Sequence, residues 1–191
     1  MSWRYIGSGT FEPIPSWDAQ WPPRAIPPSL DQVLVFDQAS IYAVIDAAKV
    51  FGLPERLQMS GLQHRCLYYG RGEEEWGDAA PWLVQLEPNH QLTRKFFLAG
   101  EDAASLSFQR STSLFFTGSD DFDSAASHLR KFTKMRAEDG RVLMLRFYDP
   151  VTFADLLEVM PPSQVAELHG RFRVVCIQEN GNWSCTEAMH C

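Results

Sequence analysis

Asp46, His128 and Asp149 have side chains suited to acid–base chemistry at a single site. Asp46 ends the apolar run SIYAVIDAA, and Asp149 closes the stretch GRVLMLRFYDP just before a proline. Ligands of α/β proteins bind where sheet strands end. These three side chains gathered there would form a small-molecule-binding or hydrolytic site. The two aspartates equally suit a structural role, because an Asp before a helix accepts hydrogen bonds from its first backbone N–H groups.

The segment Arg146-Phe147-Tyr148-Asp149 presents the same choice. In a strand, Arg146 and Tyr148 share one face. Apolar residues precede them on both faces, so the arginine needs a carboxylate or carbonyl partner, because an unpaired buried charge is very costly. The candidate partners are Asp46, Asp149 and the aspartates of a predicted helix over 119–133. No nucleophile, base and orienting group complete a catalytic set. We therefore expect no catalytic residue, and we interpret the segment as the end of a central strand fixed by Arg–Asp pairing.

Sequence signatures of nucleotide, metal and acyl-transfer chemistry are missing. The sequence has no P-loop, no GxGxxG, no HExxH and no GxSxG. Its four cysteines form no CxxC pair and are expected to be reduced thiols. We therefore expect neither a cofactor nor a metal.

Composition and charge narrow the class of protein. The 191 residues are 45% hydrophobic and 21% charged, which is typical of one soluble globular domain. The net charge of −7 argues against nucleic-acid binding, which needs a basic face. The N-terminal stretch lacks the apolar core of a signal peptide, and no run approaches the ~20 apolar residues of a membrane helix. The expected location is the cytoplasm, without membrane contact.

The chain divides into three predicted regions: an arm over 1–30, an α/β domain over 31–178 and a polar tail over 179–191. Prolines in the arm remove backbone donors and favour an extended, irregular segment. Its tryptophans, Trp17 and Trp21, either fill grooves on the chain's own domain or dock on a partner protein.

The middle region alternates strands with helices. SIYAVIDAA, HRCLYYG, SLSFQRSTS and RFRVVCIQEN predict strands, and KMRAEDGRVLMLRFYDP predicts a hairpin. A helix is predicted to begin in the acidic segment EEEWGDAAPWLVQL, and Pro81 within it marks the start of a new element. A second helix, capped by Ser119, is predicted for SDDFDSAASHLRKFT. TFADLLEVM and PPSQVAELHG predict two more helices. The predicted fold is α/β: a mixed β-sheet covered by helices in a single compact domain.

Five segments occur in an order that resembles a known family. They are IYAVIDAAK, CLYYG, APWLVQL, SHLRKF and DGRVLMLRFYDP, and they cover roughly residues 40–160. This order resembles the bacterial type VI secretion adaptor-chaperones, long described as a domain of unknown function. The most specific elements are His128-Leu129-Arg130 and the later RFYDP. The resemblance implies a cytoplasmic protein without catalytic activity, which binds a toxic effector and helps to load it onto the VgrG spike.

The resemblance also suggests a set of site residues. They are expected either to fix sheet to helix or to form part of the partner surface: Asp46, His128, Arg130, Arg146, Tyr148 and Asp149. Family members continue into a longer C-terminal region thought to hold the effector, whereas about 30 residues follow Pro161 here. Either the chain is a compact member of the family, or effector contact uses the core and the arm. Two alternatives stay open: an immunity-type protein that caps a basic toxin, and a small-molecule-binding or hydrolytic domain.

Overall fold

A seven-stranded antiparallel sheet forms the centre of the fold. The structure, a computed structural model, describes residues 2–15, 26–34, 39–100, 102–137 and 139–189. The strands follow the spatial order β1-β9-β8-β5-β2-β4-β3, and a separate hairpin joins β6 to β7. Their bounds are β1 Ser2–Thr10, β2 Ser40–Asp46, β3 His64–Cys66, β4 Pro81–Leu86, β5 Ser113–Gly118, β6 Lys134–Arg136, β7 Val142–Met144, β8 Arg173–Ile177 and β9 Asn182–Met189.

Helices cover both faces of this sheet. They are α1 Pro28–Leu34, α2 Leu53–Ser60, α3 Arg71–Trp76, α4 Gln91–Lys95, α5 Phe122–Arg130, α6 Pro150–Val159 and α7 Pro162–His169. The predicted α/β single domain is confirmed. Among the described residues, no helix is long and apolar enough to cross a membrane.

The central strand β2 is apolar from Ile41 to Ile45 because both of its faces are buried. Tyr42 and Val44 face a core completed by α5, α6 and α7. Ile41, Ala43 and Ile45 face a second core completed by α1, α2 and α4. Asp46 is the last residue of this strand, so its carboxylate lies where both cores end.

The predictions of an irregular arm and a polar tail are wrong for 2–10 and 182–189, which form strands β1 and β9. These strands pair from Ser2 opposite Met189 to Thr10 opposite Asn182, with one shift of register between Tyr5 and Gly7. The prolines that indicated an irregular arm begin at Pro13, so they do not affect β1. The backbone of β9 is paired on both sides. Its polar side chains have partners as well, since Thr186 is hydrogen bonded to His169 and Glu187 pairs with Arg4 and Arg173. The candidate docking residues Trp17 and Trp21 lie outside the described residues.

Two further elements differ from prediction. Pro81–Leu86 is a strand beside β2, with its proline at the first position, where a strand tolerates the missing N–H. The strand expected in SLSFQRSTS begins later, at Ser113. A short 3-10 turn ends at Ser111, whose φ of 47° lies in the left-handed region and interrupts extended pairing. Helix α5 was predicted correctly, but Asp121 caps it in place of Ser119.

Candidate functional site

The segment Arg146–Asp149 lies in a turn between β7 and α6, outside the main sheet. The prediction that it ends a central strand is wrong, because β7 stops at Met144 and pairs with β6 alone among the described strands. The Asp149 N–H donates to the Arg146 carbonyl at 3.0 Å, which closes the turn. Phe147 and Tyr148 are buried, so this turn passes under the surface.

Asp46 both caps the turn that follows it and pairs with Arg146. Its carboxylate is buried, and Oδ1 accepts from the Ala48 N–H at 3.1 Å, which caps the 3-10 turn Ala47–Lys49. Oδ2 accepts from Nη2 of Arg146, so Asp46 is the partner among the candidate acids. The buried member of the pair is Asp46, whereas the Arg146 side chain, predicted to be covered, is 47% exposed. Burial raises the pKa of Asp46, although the hydrogen bond and positive charge of Arg146 act in the opposite direction. The pair thus joins the end of β2 to the turn before α6.

Asp149 fixes the start of α6 and binds a lysine. Its Oδ1 accepts from the N–H groups of Val151 and Thr152, both at 3.0 Å, as predicted for an N-cap. Its Oδ2 accepts from Lys49 Nζ, which also donates to the Ser111 carbonyl at 2.9 Å. Burial alone would raise the pKa of Asp149, but Lys49 and the helix N–H groups together hold it below its ordinary value.

Tyr148 adds a link to β3. Its side chain interacts with that of Tyr68, two residues after β3, and both side chains are at least nine-tenths buried. Burial is the largest cause that raises the pKa of Tyr148, so its phenol stays neutral. We call the six residues joined in this way the junction cluster: Asp46, Lys49, Tyr68, Arg146, Tyr148 and Asp149.

The other two predicted site residues lie elsewhere. His128 shares a hydrogen bond between Nε2 and the Leu168 carbonyl at 3.0 Å, and its ring packs against Phe132 and Phe172. It therefore joins α5 to the end of α7. The hydrolytic hypothesis required Asp46, His128 and Asp149 to lie at one site. The structure does not bring these three side chains together.

Arg130 joins α5 to the edge strand β3. Its guanidinium donates to the carbonyls of Cys66 and Leu67, both at 3.1 Å, and lies over the Tyr69 ring at 5.3 Å. It forms no ion pair with a described carboxylate of the junction cluster. Arg130 is thus a neighbour of the cluster through β3 and not a member.

Lys49 and Tyr68 were missed by the reasoning from sequence. Lys49 stands three residues after Asp46 in the segment IYAVIDAAK, and its partner is 100 residues away. Its place in that segment was the available signal. The segment CLYYG contains Tyr68 and Tyr69, and the sequence does not indicate which of the two side chains is buried.

Two open clefts border the cluster. One, of about 760 Å³, is lined by residues that include Lys49, Glu55 and Arg110. The other, of about 470 Å³, is lined by Ser111, Pro150 and Glu179 among others. The acids of the cluster point at cations and backbone N–H groups, as described above, and not into these clefts as free groups. The described residues contain no group of three His, Cys, Asp or Glu placed to hold a metal.

We expect Asp149→Asn to lower the free energy of unfolding by about 2 kcal/mol at pH 7, between the costs of exposed and buried ion pairs. The amide oxygen can still cap α6, so the loss reports the pairing with Lys49. Denaturant unfolding measures it.

The Asp149 carboxylate has a lowered pKa, so its contribution is present above the ordinary value of 3.8 and is lost as pH falls through the folded value. The difference in the free energy of unfolding between wild type and Asp149→Asn should therefore vanish at a pH below the folded pKa of Asp149. The matched control is Asp139→Asn, at an exposed pair with Arg141. A loss of equal size in the control would contradict the assignment.

The junction cluster lies within the part of the chain that matches a known family. The sequence profile described as Domain of unknown function (DUF4123) matches residues 41–167, which is more than half of the chain and includes every member of the junction cluster. No curated protein and no solved structure matches the chain. The family is associated with adaptors of type VI secretion effectors. The chain belongs to the DUF4123 family.

Proposed function

We propose that this protein is an adaptor-chaperone that binds a type VI secretion effector in the cytoplasm and assists its loading onto a VgrG spike. It acts by binding and does not turn over a substrate. The observation that carries the proposal is the family match over 41–167, which spans the junction cluster.

The chemistry of the cluster supports binding over catalysis. Asp46 and Asp149, the strongest candidates for acid–base work, each accept from a cation and from backbone N–H groups. A general base needs a free carboxylate oxygen within reach of a substrate proton. Both acids instead hold the end of β2, the turn before α6 and the Ser111 loop together. The cluster therefore serves to fix the surface formed by these three segments.

Co-expression tests the proposal. The tagged protein is produced with the effector encoded beside its gene and, separately, with the C-terminal segment of the VgrG from the same cluster. We expect a complex with the effector that survives size-exclusion chromatography, and recovery of effector with VgrG that depends on the adaptor. An effector that elutes alone in the presence of this protein would overturn the proposal.

The net charge of −7 favours one second candidate, an immunity protein that caps a basic toxin. Deletion of the gene separates the two functions. Loss of an adaptor stops secretion of the effector and leaves the producing cells healthy. Loss of an immunity protein intoxicates the producing cells while secretion continues.

A further inference from the structure

The β6–β7 hairpin exposes an apolar surface outside the main sheet. Met135, Val142, Leu143 and Met144 are each between 42% and 58% exposed, and Tyr69 beside them is 65% exposed. Methionine and leucine at a surface adapt their shape to a partner, and clustered exposed apolar side chains mark interaction sites. Met135 and Leu143 share one face of the hairpin, whereas Val142 and Met144 lie on the other face with Lys134 and Arg136.

The outer edge of β6 has free backbone groups. Leu145 N–H donates to the Thr133 carbonyl at 3.0 Å, and Ala137 N–H donates to the Arg141 carbonyl at 2.9 Å. In an antiparallel pair, inward and outward groups alternate along each strand. These two bonds therefore place the N–H and C=O groups of Lys134 and Arg136 on the outer edge. No described residue pairs with them, so this edge can accept another strand.

Positive charge surrounds the same edge. Lys131, Lys134 and Arg136 are exposed, and no described carboxylate forms an ion pair with any of them. The Lys134 ammonium lies 5.8 Å from the centre of the Tyr69 ring, which is itself exposed. On a chain with a net charge of −7, this basic strip on an apolar hairpin is a local reversal of sign.

We propose that the outer edge of β6 binds an extended segment of a partner protein in which acidic and apolar residues alternate. The segment adds as a strand, with acids opposite Lys134 and Arg136 and an apolar side chain beside Met135. Backbone hydrogen bonds supply affinity in strand addition, and opposite charges directly across a pair select the sequence. That the partner is an effector rests on the function proposed above; the edge and its charge preference do not.

A peptide tests the edge directly. The probe is a fluorescent Thr-Glu-Val-Glu-Val-Glu-Thr peptide, and the comparison peptide carries Lys in place of Glu. We expect the acidic peptide to bind the full chain, the basic one to fail, and Lys134→Glu/Arg136→Glu to weaken binding by tenfold or more. Lys95→Glu, an exposed cation at the end of α4, is the matched control and should bind as wild type does. Equal binding of both peptides, equal binding by the double variant, or no binding of the acidic peptide would overturn the proposal.

Co-purification with the neighbouring effector separates this proposal from the adaptor function. If wild type and Lys95→Glu retain the effector and the double variant loses it, both stand. If the double variant retains it fully, the hairpin proposal fails and the adaptor function remains. If wild type does not bind the effector, the adaptor function fails, and the peptide result decides the hairpin alone. Thermal unfolding of the double variant should match wild type, because both changed side chains are exposed.

Hydrogen exchange gives an independent measurement on the wild-type chain. Strand addition should slow exchange of the Lys134 and Arg136 amides when the acidic peptide is bound. Docking through side chains alone would leave these two amides as fast as in the free protein, and that result would overturn strand addition.

Discussion

Phe147→Ala should lower the free energy of unfolding by about 4 kcal/mol, the loss expected for a fully buried phenylalanine. The side chain is fully buried against the rings of Phe116, Phe132 and Tyr148. Removal of the Phe147 ring leaves a cavity under the turn that begins at Arg146 and ends at Asp149. Denaturant unfolding at equilibrium measures the loss, and effector binding should weaken with it.

Phe51→Ala is the matched control, because this phenylalanine is 80% exposed. It should change the free energy of unfolding by no more than about 0.5 kcal/mol. A Phe147→Ala protein as stable as the control would show that the turn does not rest on the core as described.

Arg146→Ala should cost about 3 kcal/mol at neutral pH, because it leaves a buried carboxylate without its counter-charge. Asp46 is the group affected: its side chain is 1% exposed, whereas that of Arg146 is 47% exposed. The loss therefore comes from the acid and not from the arginine, which water solvates in part.

The loss from Arg146→Ala should depend on pH in a defined direction. Burial already raises the pKa of Asp46 above 3.8, and removal of the hydrogen bond and charge of Arg146 raises it further. A group with a raised folded pKa stabilises the protein fully below its unfolded pKa and loses that contribution as pH rises through the folded value. The variant should therefore approach wild type near pH 4 and fall furthest behind at pH 8.

Arg141→Ala provides the comparison for Arg146→Ala. Arg141 is 76% exposed and pairs with an exposed Asp139, so its removal should cost less than about 1 kcal/mol at any pH. An Arg146→Ala variant that is equally stable yet fails to bind the effector would assign Arg146 to the partner surface instead of the junction.

The junction cluster was predictable in part from sequence. The expectation that Arg146 needs an acid gave Asp46 as one of several candidate partners, and Asp149 before Pro150 predicted the cap of α6. The premise that Arg146 is covered was wrong, because its side chain is 47% exposed. The cap follows from local chemistry, which a short segment contains. The partner of Arg146 lies 100 positions away, and the sequence could only place it within a set of candidate acids. The link from Lys49 to Asp149 spans the same distance, and nothing local to either residue indicates it.

The errors of sequence reasoning concern long-range pairing. Residues 2–10 and 182–189 have little apolar periodicity, and they become strands because each supplies the other with hydrogen-bond partners. The strand Pro81–Leu86 is apolar at every position except Gln85, a pattern that a buried helix segment shares. Its position beside β2, fixed by the whole sheet, decides the structure.

The pairing of β1 with β9 sets the order in which the protein can be completed during biosynthesis. Of the strands that the structure describes, β1 leaves the ribosome first and its partner β9 leaves last. At about 5–20 residues per second, β1 waits on the order of 10 s or more for β9. Trp3, which packs against the core in the folded protein, has no such contact during that time. The β1 edge of the sheet is therefore the last part of the sheet to form. Until it forms, nascent chains can exchange strands with one another.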